Sequence, residues 1–392
     1  MLQSWRWYGK YDKLSLFEIA QTGAKSIVTS LHEVPYGEVW SSQDIRVVAD
    51  QIREGGFEWS VVESLPIHED IKRGEGNLTM LFANYRQSMA NLAAEGVQTI
   101  CYNFMPLLDW TRTDLVAPVA GGGTCLRFSN PRMAAFEICM LQREDAEADY
   151  SAAVIADAKS WFDQSHESER AVLLNSIMAG LPGAFERFDI AGLKNALAQY
   201  KHINRSMLRD NYLRFLQEVL PAAVDLGISL CVHPDDPPRD ILGLPRVVSN
   251  ETDIAWILDS HVHRANGLTL CSGSLGANPA NNVPVIAGRF AERIHFAHLR
   301  NVRNEHDGSF EEAAHLDGDT DMVAVVKVLV AEEVRRKAVG REDYNIPFRP
   351  DHGHELLTDA LDGTHPGYPM IGRLKGLAEL RGVVAALTHS GE

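Results

Sequence analysis

Short apolar runs, rich in β-branched and aromatic residues, recur along the chain and alternate with longer amphipathic stretches such as residues 84–95 and 211–220. Such runs predict buried parallel strands, because a parallel sheet is covered by helices on both faces. Eight strands are predicted, at residues 5–8, 27–31, 59–63, 99–103, 229–233, 268–271, 294–298 and 346–351. The pattern favours an α/β fold, a closed (β/α)8 TIM barrel. An open doubly wound sheet is the alternative, but no G-x-G-x-x-G motif follows an early strand.

The spacing of the predicted strands is uneven, and the stretch between the fourth and fifth is far longer than one crossover needs. We interpret residues of about 107–210 as an inserted, largely helical subdomain within a single TIM-barrel domain of residues 1–392. The glycine triplet at residues 121–123 is interpreted as a flexible loop tip, because no Lys followed by Ser or Thr completes a phosphate-binding loop. A second long connection, residues 301–345, follows the seventh strand.

Composition and charge narrow the possible partners. The formal net charge of -16 argues against nucleic acid, because phosphate backbones would repel the chain. The first residues lack a basic segment followed by an apolar run, and no apolar stretch reaches the roughly 20 residues that span a bilayer, so neither secretion nor a membrane is expected. Five widely spaced cysteines do not resemble a disulfide framework. They favour a reduced, cytoplasmic setting with free thiols.

Residues with metal-ligand chemistry end four successive predicted strands: His233, Cys271, His298 and Asp351. In a barrel these strand ends form one mouth, and neighbouring strands lie about 4.8 Å apart, so side chains at matching heights can converge. Each residue alone has a simpler explanation, as a hydrogen-bonded histidine, a small buried cysteine or a capping aspartate. The joint pattern predicts one divalent metal ion. Imidazole and thiolate suit zinc, while a carboxylate also suits manganese or iron, so the donors leave the metal open.

Longer motifs along the whole chain resemble the mannonate dehydratase family. They lie at residues 5–9, 37–40, 59–64, 101–106, 109–113, 232–238, 270–274, 298–300, 349–354 and 372–376. The resemblance implies a xylose-isomerase-like TIM barrel that converts D-mannonate to 2-dehydro-3-deoxy-D-gluconate and water, in hexuronate (glucuronate) catabolism. It also implies one Mn²⁺ or Fe²⁺ per chain, bound by the four residues named above. We further expect a homodimer or higher homo-oligomer that acts on a small sugar acid.

Dehydration of a sugar acid removes a proton beside the carboxylate and a hydroxide from the next carbon. A divalent cation stabilises the developing negative charge, while a base and an acid move the protons. The resemblance implies that His352 and Tyr368 are these groups, without deciding which is base and which is acid. On the residues alone, His352 also fits a histidine that orients Asp351, and Tyr368 fits an aromatic residue of a surface loop.

Further polar residues near the predicted strand ends are expected to bind substrate. Arg300 lies two residues after His298 on the same predicted strand face, where a guanidinium can hold a carboxylate bidentately. An ion pair of Arg300 with Asp351 or Glu63 is the alternative.

Asn103 and His32, at the ends of the fourth and second predicted strands, are also expected substrate-binding residues. Asp235 and Asp236 are expected to orient His233, although a Pro-rich turn also explains them.

Three other functions share parts of this pattern. A sugar isomerase on the same barrel usually binds two metals through several carboxylates and uses a lysine, whereas this set contains a thiolate. A metal-dependent endonuclease of similar fold is disfavoured by the net charge of -16. A structural metal site in a binding protein would be a closed Cys/His tetrahedron, so a metal site with open positions in a pocket argues against it.

Overall fold

The computed structural model describes residues 1–180 and 188–389. Within them the strands are β1 (Leu2–Arg6), β2 (Ser26–Thr29), β3 (Glu58–Glu63), β4 (Thr99–Tyr102), β5 (Asp114–Pro118), β6 (Thr124–Phe128), β7 (Ser229–Val232), β8 (Asn266–Cys271), β9 (Ile294–His298), β10 (Asn301–Asn304), β11 (Phe310–Ala313) and β12 (Pro347–Arg349).

The α-helices of the described residues are α1 (Leu16–Gln21), α2 (Ser42–Glu54), α3 (Glu69–Arg73), α4 (Leu78–Ala94), α5 (Asn130–Ala135), α6 (Ala152–Gln164), α7 (Glu167–Ile177), α8 (Ile190–Ala198), α9 (Arg205–Asp225), α10 (Glu251–Ser260), α11 (Ser272–Gly276), α12 (Val283–Phe290), α13 (Met322–Ala338), α14 (Asp359–Asp362) and α15 (Met370–His389). Short polar residues begin several of them by accepting a main-chain N–H bond, which satisfies a free donor of the first turn. Examples are Ser41 before α2, Asn77 before α4 and Asn204 before α9.

Eight parallel strands close into a barrel in the order β1-β12-β9-β8-β7-β4-β3-β2. The predicted TIM barrel is therefore confirmed, and its eight strands are the ones expected from the apolar runs. The first strand ends at Arg6 rather than Tyr8, because the main-chain N–H of Tyr8 donates to Asp12 Oδ2 (3.0 Å) and leaves the ladder. The last strand ends at Arg349, two residues before Asp351, which adopts a φ of 59°.

A small apolar layer fills the barrel interior beneath the mouth. It consists of Val28, Val61, Cys101, Cys231 and Phe296, all of them fully buried. Phe296 meets His298 two residues further along β9, with ring centroids 4.6 Å apart and the rings edge to face. Since residues i and i+2 of a strand point to the same side, the interior packing sets the height at which His298 reaches the mouth.

A second, four-stranded sheet lies beside the barrel in the order β10-β11-β6-β5. The β5–β6 hairpin comes from the connection after β4, and the β10–β11 hairpin comes from the connection after β9. Residues 107–210 therefore supply two strands as well as helices, and residues 181–187 lie outside the described residues. The division into a barrel and an inserted subdomain stays a prediction. The glycine triplet forms the turn between β5 and β6, where the N–H of Val119 donates to the carbonyl of Gly123 (3.1 Å).

None of the helices in the described residues combines the length and apolar character needed to cross a bilayer.

We expect Phe310→Ala to lower the free energy of unfolding by about 3–5 kcal/mol, the usual cost of truncating a buried phenylalanine. Phe310 is fully buried in β11, stacks on Phe128 of β6 with centroids 5.5 Å apart, and lies 4.9 Å from the guanidinium carbon of Arg112. Urea denaturation measures the change. The control is Val262→Ala, at a side chain that is 85% exposed, with an expected effect within about 0.5 kcal/mol. Equal effects of the two substitutions would contradict the role of Phe310 in joining the strands.

Candidate active site

A pocket of about 350 Å³ opens at the carboxyl ends of the barrel strands. Most of the residues predicted from the sequence line it. Its lining consists of Glu63, Asn103, Asp109, Trp110, His233, Asp236, Arg300, Arg349, Asp351, His352 and Tyr368. The lining consists mostly of polar and charged residues, so it suits a highly hydroxylated ligand better than an apolar one.

His233, Cys271 and His298 form a compact group of metal-ligand type, because their ligand atoms all lie within 4.8 Å of one another. His233 Nε2 is 3.0 Å from His298 Nδ1. The register of the sheet explains the meeting, since Cys271 at the end of β8 pairs with His298 at the end of β9. Cys271 and His298 are buried, and His233 is half-buried and lines the pocket.

In each of the two histidines, the acceptor that faces one ring nitrogen determines whether the other ring nitrogen has a free lone pair. The nitrogens that face an acceptor are His233 Nδ1 and His298 Nε2. His233 Nδ1 lies 2.7 Å from the carbonyl oxygen of Pro234, which only accepts, so Nδ1 carries the proton and Nε2 keeps a lone pair. His298 Nε2 faces the Glu63 carboxylate at 3.3 Å, which favours a proton there and a lone pair on Nδ1. Two facing lone pairs do not bond to each other, but both can bind one cation. Nitrogens each about 2.1 Å from one ion can approach to about 3 Å, so the residues fit a metal.

Cys271 Sγ receives two hydrogen bonds from Ser274, from the main-chain N–H (3.4 Å) and from the hydroxyl (3.1 Å). The thiolate is the form of cysteine that binds metals. Two imidazoles and a thiolate are a donor set suited to a divalent transition metal.

Asp351 lies just outside this group of three. Its Oδ2 is 3.8 Å from Cys271 Sγ and 3.9 Å from His298 Nδ1, while Oδ1 pairs with Arg349. Burial raises the pKa of Asp351, but the positive charge of Arg349 and of other neighbours outweighs burial and holds the pKa well below its ordinary value. The carboxylate is therefore ionised and within a small displacement of the three closer donors.

The turn at the end of β12 lets two successive side chains line the pocket. In a regular strand, Asp351 and His352 would point to opposite faces. The chain turns at Asp351 itself, which adopts a left-handed φ of 59°. Gly353 is needed for space, because a Cβ there would lie 2.7 Å from the main chain of Gly372 and Arg373.

His352 and Tyr368 meet edge to face, with ring centroids 5.1 Å apart. Their two loops are joined by a hydrogen bond from the N–H of Gly353 to the carbonyl of Gly367 (3.0 Å). Gly367 adopts a φ of 82°, and a Cβ there would approach His352 Cδ2 to 3.2 Å, so only glycine fits without strain. Burial raises the pKa of Tyr368, partly offset by Arg349, and the phenol therefore keeps its proton at neutral pH.

His352 Nδ1 has two neighbours that favour opposite tautomers. It lies 2.7 Å from Arg300 Nη1, which only donates, and 2.9 Å from Glu312 Oε1, which accepts. Burial raises the pKa of Glu312, but the charges of Arg300, His352 and Arg112 lower it to about 2, so Glu312 is an anion. The sequence analysis missed Glu312, although its position was a usable signal. An acidic residue two positions after Phe310 shares the buried face of β11.

Arg300 lies in the pocket and is held by acidic neighbours. Its Nη2 is 2.6 Å from Asp236 Oδ2, and its Nε is 3.4 Å from Asp351 Oδ2. The alternative pairing with Asp351 is thus present, whereas Glu63 instead binds Arg349 through two contacts of 3.0 and 2.7 Å. This bidentate pair joins the carboxyl end of β12, which carries Arg349, to the carboxyl end of β3, which carries Glu63.

The expectation that Asp235 and Asp236 orient His233 is wrong. Asp235 Oδ2 accepts from the N–H of Val248 (2.7 Å) and the hydroxyl of Ser249 (2.8 Å). Asp236 binds two arginines, Arg112 bidentately at 2.7 and 3.1 Å and Arg300 at 2.6 Å. Both carboxylates are thus held by other partners, and His233 Nδ1 faces the Pro234 carbonyl instead.

Asn103 lines the pocket, whereas His32 lies outside it. His32 lines a neighbouring open pocket of about 1110 Å³ together with Tyr8 and Tyr11. Tyr8 lies between the two pockets, with ring centroids 5.4 Å from His32 and 5.1 Å from Tyr368. The substrate-binding roles of Asn103 and His32 stay predictions.

Arg349, Asp109 and Trp110 are pocket residues to which the sequence analysis gave no role. Arg349 was detectable, because a charged residue inside an otherwise apolar strand of a buried sheet needs a partner. Asp109 and Trp110 follow β4 in an irregular loop, where no periodic pattern indicates which side chains face inward. Burial raises the pKa of Asp109, whereas the arginine-bound carboxyls of Asp236 and Asp351 have lowered pKa values.

Comparison with known proteins gives a consistent result. Residues 1–391 match the family described as D-mannonate dehydratase (UxuA). The mannonate dehydratase of Chromohalobacter salexigens is 53% identical over 388 residues, covering 99% of each chain. Mannonate dehydratase 1 of Agrobacterium fabrum is 48% identical over 392 residues, covering 99% of this chain and 98% of that one.

Solved structures agree. A crystal structure of mannonate dehydratase from Streptococcus suis serotype 2 superposes with a TM-score of 0.78 and 32% identity, covering 100% of this chain and 94% of that one. A D-tagatose 3-epimerase-like protein superposes with a TM-score of 0.52 and 10% identity over 100% of both chains. At that identity, the second likeness concerns the fold alone.

We expect Cys271→Ser to weaken divalent-metal binding by at least about tenfold, because a neutral hydroxyl replaces a thiolate ligand. Metal content per chain, measured by inductively coupled plasma mass spectrometry after dialysis against Mn²⁺, reports the loss. The control is Cys139→Ser, at a half-buried cysteine apart from the metal-ligand group, with unchanged metal content. Full metal content in Cys271→Ser would show that Cys271 is not a ligand.

Proposed function

This chain belongs to the D-mannonate dehydratase (UxuA) family, and on that premise we propose that it converts D-mannonate to 2-dehydro-3-deoxy-D-gluconate and water. The observation that carries the proposal is the pocket itself. A metal-ligand group of two histidines and a cysteine adjoins a histidine–tyrosine pair at the end of the barrel. Dehydration of a sugar acid needs both a site for charge stabilisation and two groups that move protons.

We propose that His233, Cys271, His298 and Asp351 together hold one Mn²⁺ or Fe²⁺. The mixed nitrogen, sulfur and oxygen donors suit such an ion, and the side chains meet beside the pocket rather than in a closed shell. The metal, when bound, supplies Lewis-acid stabilisation of the negative charge that develops next to the substrate carboxylate.

Arg300 is proposed to bind the substrate carboxylate. Its guanidinium carries five N–H donors in a planar fork, and it is paired with Asp236 and Asp351. Its Nη1 lies 2.7 Å from His352 Nδ1 and 3.3 Å from Glu312 Oε1. A carboxylate in the pocket competes for Nη1 and draws it from the imidazole. Glu312 then remains as the acceptor for the Nδ1 proton of His352.

With Nδ1–H donating to Glu312, His352 presents the lone pair of Nε2 and acts as the base that removes the proton beside the carboxylate. Tyr368, whose pKa is raised by burial, keeps its phenolic proton and donates it to the departing hydroxyl. The neighbouring rings of the two residues, with centroids 5.1 Å apart, support a reaction in which the two proton transfers occur at adjacent carbons of one substrate.

Asn103 is proposed to contact substrate hydroxyls from the pocket wall, and His32 to contact substrate from beyond Tyr8. We place the reaction in hexuronate (glucuronate) catabolism in the cytoplasm, where the five free cysteines would stay reduced. A homodimer or higher homo-oligomer is the proposed assembly. The sugar-isomerase alternative has less support, because the carboxylates of Glu63 and Asp236 are already bound by arginines.

We expect the protein loaded with Mn²⁺ or Fe²⁺ to form a 2-keto-3-deoxy acid from D-mannonate. Removal of the metal with EDTA should lower kcat/KM by at least about a hundredfold, since a Lewis acid supplies several kcal/mol of stabilisation. Addition of the metal to the dialysed protein should restore turnover. Product formation is followed by a colorimetric assay for 2-keto-3-deoxy acids. If neither metal supports product formation, the proposed function is wrong.

We expect His352→Asn to lower kcat by about 10²- to 10⁴-fold, the usual contribution of a general base, with the metal content unchanged. Steady-state kinetics and metal analysis are run on the same preparation. His306→Asn, at an exposed histidine of the β10–β11 turn, is the control and should keep wild-type turnover. Wild-type kcat in His352→Asn would rule out the proposed proton transfer.

A further inference from the structure

One carboxylate of the pocket differs from the others in forming no ion pair within residues 1–180 and 188–389. Asp236 and Asp351 lie against Arg300, and Glu63 is bound by Arg349. Asp109 has no Lys, Arg or His nitrogen closer than 4.0 Å in those residues, and it senses the positive charge of Lys72 only from further away. Besides a bond from its own main chain, its side-chain donor is Asn103 Nδ2, 3.5 Å from Oδ2, which is at the long limit for such a bond. Asp109 therefore keeps acceptor capacity that faces the pocket.

The loop that carries Asp109 is held in place on both sides of it. Three polar side chains and one main-chain carbonyl bind its main chain. Two of these side chains, Lys72 and Arg246, are buried charges, which cost free energy unless each charge is satisfied. The loop is thereby preorganised rather than free to adapt. The anchoring bonds are Lys72 Nζ to the Met105 carbonyl (2.7 Å), the Leu107 N–H to Glu69 Oε2 (3.1 Å), Arg246 Nη1 to the Leu108 carbonyl (3.0 Å) and the Thr111 N–H to the Asp236 carbonyl (3.1 Å).

Trp110, the next residue, provides a second and independent observation. Its side chain is 7% exposed and lines the same pocket. Its indole Nε1 is buried, and among the described residues it has no hydrogen-bond partner. Buried donors are nearly always satisfied, so an unpaired one beside a binding pocket indicates a ligand acceptor. Asp109 and Trp110 together offer acceptors, one donor and an aromatic surface.

The surroundings of Asp109 determine which part of a sugar acid it can receive. Asp109 offers the substrate carboxylate no cation to pair with, and that carboxylate is instead attracted to Arg300. Hydroxyl groups are the donors left on an aldonic acid, and a carboxylate accepts hydrogen bonds from two of them. The substrate would then lie with its acid end toward Arg300 and its polyol end toward the loop after β4.

We propose that Asp109, with Asn103 and Trp110, binds the hydroxyl groups at the end of the sugar acid remote from its carboxylate, and so determines which aldonic acids the enzyme accepts. The proposal rests on the proposed function and adds specificity to it. A site built to bind a hydroxyl rejects an analogue without it, because the polar group of the site then stays buried and unpaired.

The test compares D-mannonate with a four-carbon aldonic acid of the same configuration at carbons 2 and 3, which lacks the distal hydroxyls. Wild type, Asp109→Asn and Asp109→Ala are assayed as metal-loaded enzymes for kcat, KM and calorimetric binding of both acids. Asp317→Asn is the control, at a carboxylate whose side chain is 86% exposed and outside the pocket. Metal content and thermal unfolding check that each variant is folded.

We expect Asp109→Ala to lower kcat/KM for D-mannonate by about 10- to 100-fold, mainly through KM, the effect of losing hydrogen bonds to a charged group. Asp109→Asn should lower kcat/KM for D-mannonate less, because its amide oxygen still accepts hydrogen bonds. For the four-carbon acid, kcat/KM of both variants should stay within about twofold of wild type, so the preference for D-mannonate is lost. An equal loss for both acids, or no loss for either, would overturn the proposal.

Failure of the proposed function is a separate outcome. If the wild type binds D-mannonate more tightly than the four-carbon acid but forms no product, the proposed reaction is wrong and the specificity role of Asp109 is still decided by calorimetry. If turnover of D-mannonate is normal and Asp109→Ala keeps full preference for it, only the role of Asp109 is wrong. If neither acid binds to the metal-loaded wild type, both proposals are wrong.

Discussion

Closure of the parallel sheet is the constraint on which the rest of this structure depends. β1 pairs with both β2 and β12, so the first and last strands meet and all eight carboxyl ends share one rim. Residues more than a hundred positions apart thereby become neighbours without any local motif. The meeting of His233, Cys271 and His298 is a direct result, since each lies at or just after the end of one of three adjacent strands.

The rim also brings together several buried charged side chains. Burial of each of them would cost free energy if it had no oppositely charged neighbour. The structure resolves this by alternating acids and arginines, from Glu63 through Arg349 and Asp351 to Arg300 and Asp236. Each buried charge has an opposite neighbour, which offsets its desolvation. The alternation fixes the side chains before substrate arrives, as electrostatic catalysis requires.

The strand ends could be predicted because buried strands have a recognisable pattern of apolar residues. The ligand-type residues could be predicted because the carboxyl ends of barrel strands meet at one mouth. Asp109 and Trp110 could not, since their positions depend on how a long irregular connection packs against the barrel. His32 follows β2 in sequence as Asn103 follows β4, yet only Asn103 lines the pocket, because the ring of Tyr8 separates His32 from it. The turn at Asp351 could not be predicted either, because a left-handed aspartate has no reliable sequence signal.

The second sheet limits how independently the loops of this barrel can change. In many barrels, each loop after a strand can vary independently, which lets new chemistry arise by exchange of one loop. Here β6 from one connection is hydrogen-bonded to β11 from another, and Arg112 before the first hairpin binds Glu312 in the second (2.9 Å). The connections after β4 and after β9 therefore depend on each other. Transfer of this site to another barrel would require both connections to be transferred together.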